Sequence, residues 1–439
     1  MSVWEGGAMQ AVAERAPLQT ALRKAQWRIL PLLGVGYLVA FMDRANISFA
    51  AESMNRELHF SAAVYGLGAG LFFISYAACE IPSNGMLLRF GARRWLARIL
   101  LTWGLLAGAM MFVRTAHVFY GLRLLLGCAE AGYFPGVIYY LSLWFPAGQR
   151  ARAISWFYVS LPLSSVLMGS VAGSLLHLDG WLGLRGWQWL FLVEALPALS
   201  LGAWIWISLP DSPKSARWLG EDERAAMEME LDEDGAAVGH GNRADLMQVL
   251  REPRVWVLGL FNLCMISVAY AVVFFLPEMV RGLTQWTAQR VGLLIAACNV
   301  VAAAAMLLNA AHSDRGRERR WHVAVPMLAV GALALVAGLD MKGVVAAAAL
   351  LLITIPYMAM QAPMLVIASR LCSGKNAALA IATFNTVGMV GGFAGSYWMG
   401  WMRDLTGGYA TGVGLLCLPC ALAAACVVWV TRRPMQTGA

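Results

Sequence analysis

The residues most able to do chemistry sit in V-A-F-M-D-R-A-N-I-S-F-A, residues 39–50. Asp43 and Arg44 fall near the middle of an apolar run from about Trp27 to Ala51. Such a run is long enough to cross the roughly 30 Å hydrocarbon core of a bilayer. A charge at that depth costs at least a few kcal/mol and is kept where it faces a bundle interior or a wet cavity. An acid beside a guanidinium in that setting can take up a proton and hold an anion. The alternative is an ion pair that only pins one helix to its neighbour. A second constellation lies in G-L-R-L-L-L-G-C-A-E-A-G-Y-F-P-G, where Arg123 and Glu130 are seven residues apart. At 100° per residue they share one helix face, about 10 Å apart along the axis.

The elements that must carry these residues follow from composition. The chain has 439 residues, of which 60% are hydrophobic and only 13% charged. A soluble domain carries about 25% charged residues, and the mean hydropathy here is +0.63. This is the composition of an all-α polytopic membrane protein. The net charge of +8 reflects basic loops at one membrane face and not a nucleic-acid partner. Residues 1–26 have no apolar core, so no cleaved signal peptide is expected there. Nearly all of the eight cysteines lie inside apolar runs, which argues against a disulfide framework. No His-rich or Cys/His metal cluster appears, and no cofactor is expected.

Twelve apolar runs can be counted, at 27–51, 61–88, 95–113, 117–145, 151–177, 187–209, 254–280, 288–311, 322–340, 343–369, 376–402 and 409–431. They are referred to below as helices 1 to 12. One long polar stretch, 210–253, separates the sixth from the seventh. The expected organisation is an N-terminal tail (1–26), a six-helix bundle (27–209), a linker (210–253), a second six-helix bundle (254–431) and a C-terminal tail (432–439). Six helices plus six suggests the paired bundles of secondary transporters. Eighteen Lys and Arg residues outside the linker mark one membrane face, against seven on the other. That bias places both termini and the linker in the cytoplasm. The expected location is the inner (plasma) membrane.

Helices 1 and 4 hold Asp43, Arg44, Arg123 and Glu130. Helices 7 to 12 carry no charge deep in the membrane, only neutral polar groups such as Asn262, Tyr270, Tyr357, Gln361 and Asn385. Titration and anion binding are therefore expected in the first bundle, with hydrogen bonds and apolar contacts added by the second. Glu80, followed by Pro82, reads as a gating or packing residue, and Glu194 as a structural one. Gly169 and Gly173 in helix 5, and Gly388, Gly392, Ser396 and Gly400 in helix 11, recur every four residues. Stripes of this kind let helix backbones approach closely.

The ordered set of motifs resembles the major facilitator superfamily, and within it the anion:cation symporter branch. The pieces are D-R-A-N-I at 43–47, I-P-S-N at 81–84 with F-G-A-R-R-W at 90–95, and A-E-A-G-Y-F-P-G at 129–136. Further pieces are G-W-Q-W-L-F at 186–191, L-P-D-S-P at 209–213, S-D-R at 313–315 and N-T-V-G-M-V-G-G-F at 385–393. The resemblance implies proton binding at Asp43 and Glu130 and engagement of a substrate carboxylate by Arg44. It implies that Tyr76, Arg123, Gln361 and Asn385 line the cavity. It gives Arg93, Arg94, Asp314 and Arg315 gating roles in the loops. The superfamily usually has an Asp at the position of Leu88, so that gate contact must be made differently here. Residues near Gln361 and Ser396 also depart from the branch.

The expected function is proton-coupled uptake of a small carboxylate, such as tartrate, an aromatic acid or a sugar acid, by a monomer in the bilayer. On this view ionised Asp43 neutralises Arg44, and protonation frees the guanidinium for the incoming anion. An anion exchanger or exporter of the same fold is the alternative. A membrane enzyme would need a nucleophile-base set or a metal cluster, and neither is visible. A nutrient sensor would carry a long cytoplasmic extension, which the short tails and linker do not provide.

Overall fold

The computed structural model describes residues 2–146, 149, 150, 153, 160–233, 251–339, 343–371 and 377–432. Among them there is no strand. Ten helices among the described residues are long and apolar enough to cross a membrane. The fifth and eleventh predicted runs coincide with Ser160–Leu176 and Ala377–Thr406. Residues 234–250 of the linker, Arg152 and Lys375 of the basic loops, Lys342 of the opposite face, and the tail from 433 lie outside the described residues.

Helix 1 is longer than its apolar run, covering Ser2–Leu58. Its polar first part continues helically and packs against a linker helix, Glu221–Glu233. The Lys24 ammonium donates to both oxygens of Glu223, at 2.7 and 2.8 Å.

Helix 4 is two pieces, Ala116–Glu130 and Tyr133–Ser142. The break falls at Ala131 and Gly132, and Gly132 adopts a φ of 88°. Only glycine takes that conformation freely. The break leaves Glu130 as the last residue of the first piece. Helix 7 divides likewise into Pro253–Val273 and Leu276–Thr284. The Phe274 carbonyl in that gap accepts from Tyr65 Oη at 3.1 Å.

Helix 3 packs on helix 6, helix 1 on helices 5 and 6, and helix 2 on helix 4. In the second half, helix 7 packs on helices 11 and 12, helix 8 on helix 10, and helix 9 on helix 12. The two halves meet along helix 2 with helix 11 and helix 5 with helix 8. The glycine stripes lie at these seams. Gly169 stands against the Gly292 backbone, Gly66 against Ser396, and Gly400 against Ala62, with no room for a Cβ. Gly388 instead faces Asn262 of helix 7, within the second half.

These close contacts gather at the membrane end opposite the basic loops, here called the far end. Asp404 of helix 11 accepts from the backbone N–H groups of Ala62 and Ala63 at 3.1 and 2.8 Å. It thereby caps the N-terminus of helix 2 from the other half of the molecule. Arg281 pairs with Glu52 across the same seam. Toward the basic end, Asn385 Nδ2 donates to Glu80 Oε1 at 3.4 Å.

Candidate functional site

The buried charged side chains among the described residues are Asp43, Arg44, Glu80, Arg123, Glu130 and Glu194. All belong to the first six helices. Among the described residues, fully buried charge thus lies in the first half, while Glu278 of the second half is half-buried beside Tyr409.

Within that half the pairing differs from the sequence expectation. Arg44 does not pair with its neighbour Asp43. Its Nε donates to Glu130 Oε1 at 2.9 Å, and Nη2 donates to the same oxygen. The other oxygen, Oε2, is buried and has no hydrogen-bond partner. Asp43 is served by other donors. Trp103 Nε1 donates to Oδ2 at 3.0 Å, and Asn46 Nδ2 donates to Oδ1 at 3.3 Å. Successive residues on a helix point about 100° apart, which turns Asp43 toward helix 3 and Arg44 toward helix 4.

Aromatic rings enclose the guanidinium. Its Cζ lies 5.1 Å from the ring centres of Phe41 and Tyr76 and 5.5 Å from that of Phe72. Phe72 also carries Arg123, whose Cζ is 4.9 Å from the ring centre on helix 2. Arg123 does not hold Glu130. Its Nε and Nη2 donate to the carbonyls of Gly68 and Ala69 at 3.4 and 3.3 Å. Phe72 therefore lies between two buried cations, with Tyr76 one turn further along helix 2.

The second half supplies neutral groups. Tyr270 faces Arg44 and packs on Phe73, with ring centres 4.3 Å apart. Tyr357 lies close to Tyr270 and to Gln361. Asn385 reaches Glu80 and not the Arg44–Glu130 pair. Glu194 of helix 6 is buried near Asp43 and Asn46, and neither of its carboxyl oxygens has a hydrogen-bond partner.

The loop motifs also resolve. Leu88 is exposed, and Arg93 is engaged by the Asp211 carboxylate. Its Oδ1 accepts from the Arg93 backbone N–H at 3.1 Å, and its Oδ2 stands 3.5 Å from Arg93 Nε. Arg94 is exposed. In the second copy, Arg319 donates to Asp314 at 2.8 Å, while Arg315 is exposed. Glu318 accepts from the backbone N–H of Trp321 and pairs with His322, contacts that hold its carboxyl below the usual range against partial burial.

Trp103 and Phe72 carry no mark in the sequence, Tyr270 stands there only among the neutral polar groups of the second half, and Asp211 only within L-P-D-S-P. Asn46 had a signal, because a residue three positions from Asp43 lies on the same helix surface.

The general pattern of the major facilitator superfamily matches residues 33–396. The chain belongs to that superfamily. It is 42% identical over 393 residues to an Agrobacterium vitis protein named as a tartrate transporter, covering 89% of this chain and 90% of the relative. It is 40% identical to the metabolite transport protein NicT of Pseudomonas putida, covering 88% of each. Among solved structures, the fold resembles the xylose transporter XylE of E. coli, with a TM-score of 0.72 and 18% identity over 95% of this chain and 99% of that one. A bacterial homologue of the human lysosomal transporter Spinster aligns with a TM-score of 0.73 and 18% identity over 92% and 96%. These two structural likenesses speak to the fold alone. As a major facilitator protein, this chain is a multi-pass inner-membrane transporter and not an enzyme.

Proposed function

We propose that this transporter imports a small carboxylate together with protons, by alternating access of two six-helix bundles, 27–209 and 254–431, about the linker 210–253. The relative named for tartrate supports an organic-anion substrate. The observation that carries the coupling is the Arg44–Glu130 bridge, in which one carboxyl oxygen takes both guanidinium bonds and the other has no partner.

An incoming carboxylate competes with Glu130 for Arg44. A proton delivered to Oε2 removes the charge that holds the guanidinium and frees its planar fork for paired bonds to the substrate. Proton and anion then favour each other's binding, and such coupling is reciprocal. Asp43 is the second proton-binding carboxylate, its ionised form supported by Trp103 and Asn46. Tyr76 lines the substrate position. Arg123 fixes Phe72 against Arg44 and lines the same space. Gln361 and Asn385 complete the site from the second bundle. At the cytoplasmic face Arg93, Arg94, Asp314 and Arg315 serve the gate, with Asp211 in the role the superfamily gives to an Asp at position 88.

The test is uptake of labelled dicarboxylates, aromatic acids and sugar acids into right-side-out vesicles under an imposed pH gradient. Symport predicts accumulation of at least one acid that stops when a protonophore collapses the gradient. Uptake that ignores the gradient but requires an internal anion would establish exchange instead.

A further inference from the structure

Glu194 of helix 6 (Gly186–Ser208) is only 5% exposed, and the transport steps above give it no task. Helix 6 packs against helices 1 and 3, with helix 5 alongside. Asp43 and Asn46 of helix 1 face Glu194. These two are three positions apart and share one helix surface.

No cation serves Glu194 among the described residues. Arg44 is engaged by Glu130, and Arg123 by the carbonyls of Gly68 and Ala69. On helix 3, Arg93 stands against Asp211, Arg94 is exposed, and Arg98 lies 3.8 Å from the centre of the Trp95 ring. Helix 5 has no charged residue between Ser160 and Leu176. Neither oxygen of Glu194 has a hydrogen-bond partner. An ionised carboxylate buried in that condition is far costlier than the neutral acid, so Glu194 carries its proton in this arrangement.

Asp43 is in the opposite condition. Trp103 Nε1 and Asn46 Nδ2 both donate to it, at 3.0 and 3.3 Å, which supports the ionised form. Two carboxyls that face one another resist being charged together, and interacting carboxyls titrate as a pair. Asn46 is suited to join them. With its amide nitrogen given to Asp43, its carbonyl oxygen remains as an acceptor for an acid O–H. Turning the amide over would present the carbonyl to a protonated Asp43 and the N–H groups to an ionised Glu194. One proton can therefore rest on either carboxyl with Asn46 matched to it.

We propose that Glu194 is a third proton-binding site of the first bundle, sharing a proton with Asp43 through Asn46. The inference rests on the proton-coupled reading above and deepens it. Breaking the O–H bond at Glu194 and forming one at Asp43 moves negative charge away from Arg44 to helix 6, which favours an anion at the guanidinium.

The experiment is infrared difference spectroscopy of the purified full-length protein in lipid, titrated from acid to alkaline buffer without substrate. Wild type at neutral pH is expected to show a protonated-carboxyl band, equivalent to one group per chain, that Glu194→Gln lacks and Glu130→Gln retains. The band should be lost on alkalinisation, and Asp43→Asn should move the pH at which it is lost. Glu194→Asp, which should displace the band instead of removing it, gives the same assignment should Glu194→Gln fail to fold. A wild-type spectrum without that band at neutral pH would overturn the inference. So would a band that persists across the range in which the protein stays folded, because a fixed acid exchanges no proton. A band that titrates unchanged in Asp43→Asn would overturn the pairing. No substrate or gradient enters these measurements, so failure of the vesicle uptake test and failure here are separate results.

Discussion

Arg44 and Glu130 bridge helices 1 and 4 through a single carboxyl oxygen, with Arg44 Nε 2.9 Å from Glu130 Oε1 and the second oxygen unpartnered. Asp43, adjacent to Arg44 in the chain, turns instead to Trp103 and Asn46. The cation that would hold the substrate is thereby neutralised by a residue 86 positions away, and the competition between Glu130 and an incoming anion is built into the pair.

Replacing Arg44 with Lys keeps the charge and loses the fork. A point charge cannot reproduce two parallel bonds to a carboxylate. Two charge-assisted hydrogen bonds contribute about 1.5–3 kcal/mol each, so Arg44→Lys should weaken substrate binding roughly 100-fold. Calorimetric titration checks this, and wild-type affinity in the variant would remove Arg44 from the substrate site.

The neutral groups of the second bundle should tune selectivity without touching coupling. Gln361→Ala and Asn385→Ala are expected to change the affinity for the acid while uptake still follows the pH gradient. Asn385→Ala should in addition loosen the Glu80 contact between helices 2 and 11. Gradient-independent uptake in either variant would show that titration is not confined to the first bundle.

The charges of helices 1 and 4 were legible because an ion in an apolar run stands out against its surroundings. Their partners were not. Adjacent residues in a helix do not face each other, so the sequence neighbours Asp43 and Arg44 suggested a pair that helix geometry separates. Arg123 and Glu130 do share a helix face, yet helix 2 offers Arg123 two carbonyls instead. Trp103 and Phe72 are apolar residues in apolar helices and carry no mark of their own. The departure at Leu88 was visible, but its remedy, Asp211, comes from beyond helix 6 and needed three-dimensional packing to find.

Asp404 caps helix 2 from the opposite bundle and so belongs to the closed far end. A lost cap costs about 1 kcal/mol, equivalent to roughly a fivefold shift toward far-end opening. Spin labels at the exposed residues Arg114 and Arg290 should report a larger long-distance population in Asp404→Ala. An unchanged distance distribution would mean that the cap plays no part in closure.

The linker helix is held to helix 1 by Lys24, which donates to both oxygens of Glu223 and, with the Gly220 N–H, lowers its carboxyl below the usual range. A lowered folded value contributes stability above the unfolded value and loses it as pH falls through the folded one. The Lys24 ammonium is exposed enough that the effect is local and modest. Protection of the amides in 221–233, relative to their intrinsic exchange rates, should therefore fall below about pH 4, and Lys24→Ala should lower it at neutral pH. Equal protection in the variant and the wild type would rule out the pair as the tether.

The central step is protonation of Glu130, which releases Arg44. Glu130→Gln keeps the shape and hydrogen-bonding capacity of the protonated acid but cannot ionise. Reconstituted Glu130→Gln should be assayed in two ways: counterflow with substrate on both sides, and uptake driven by an imposed pH gradient. Counterflow is expected to persist, because exchange needs no net proton release, and gradient-driven accumulation is expected to fail. Equal effects on the two assays, or accumulation at the wild-type level, would contradict the proton-carrier role.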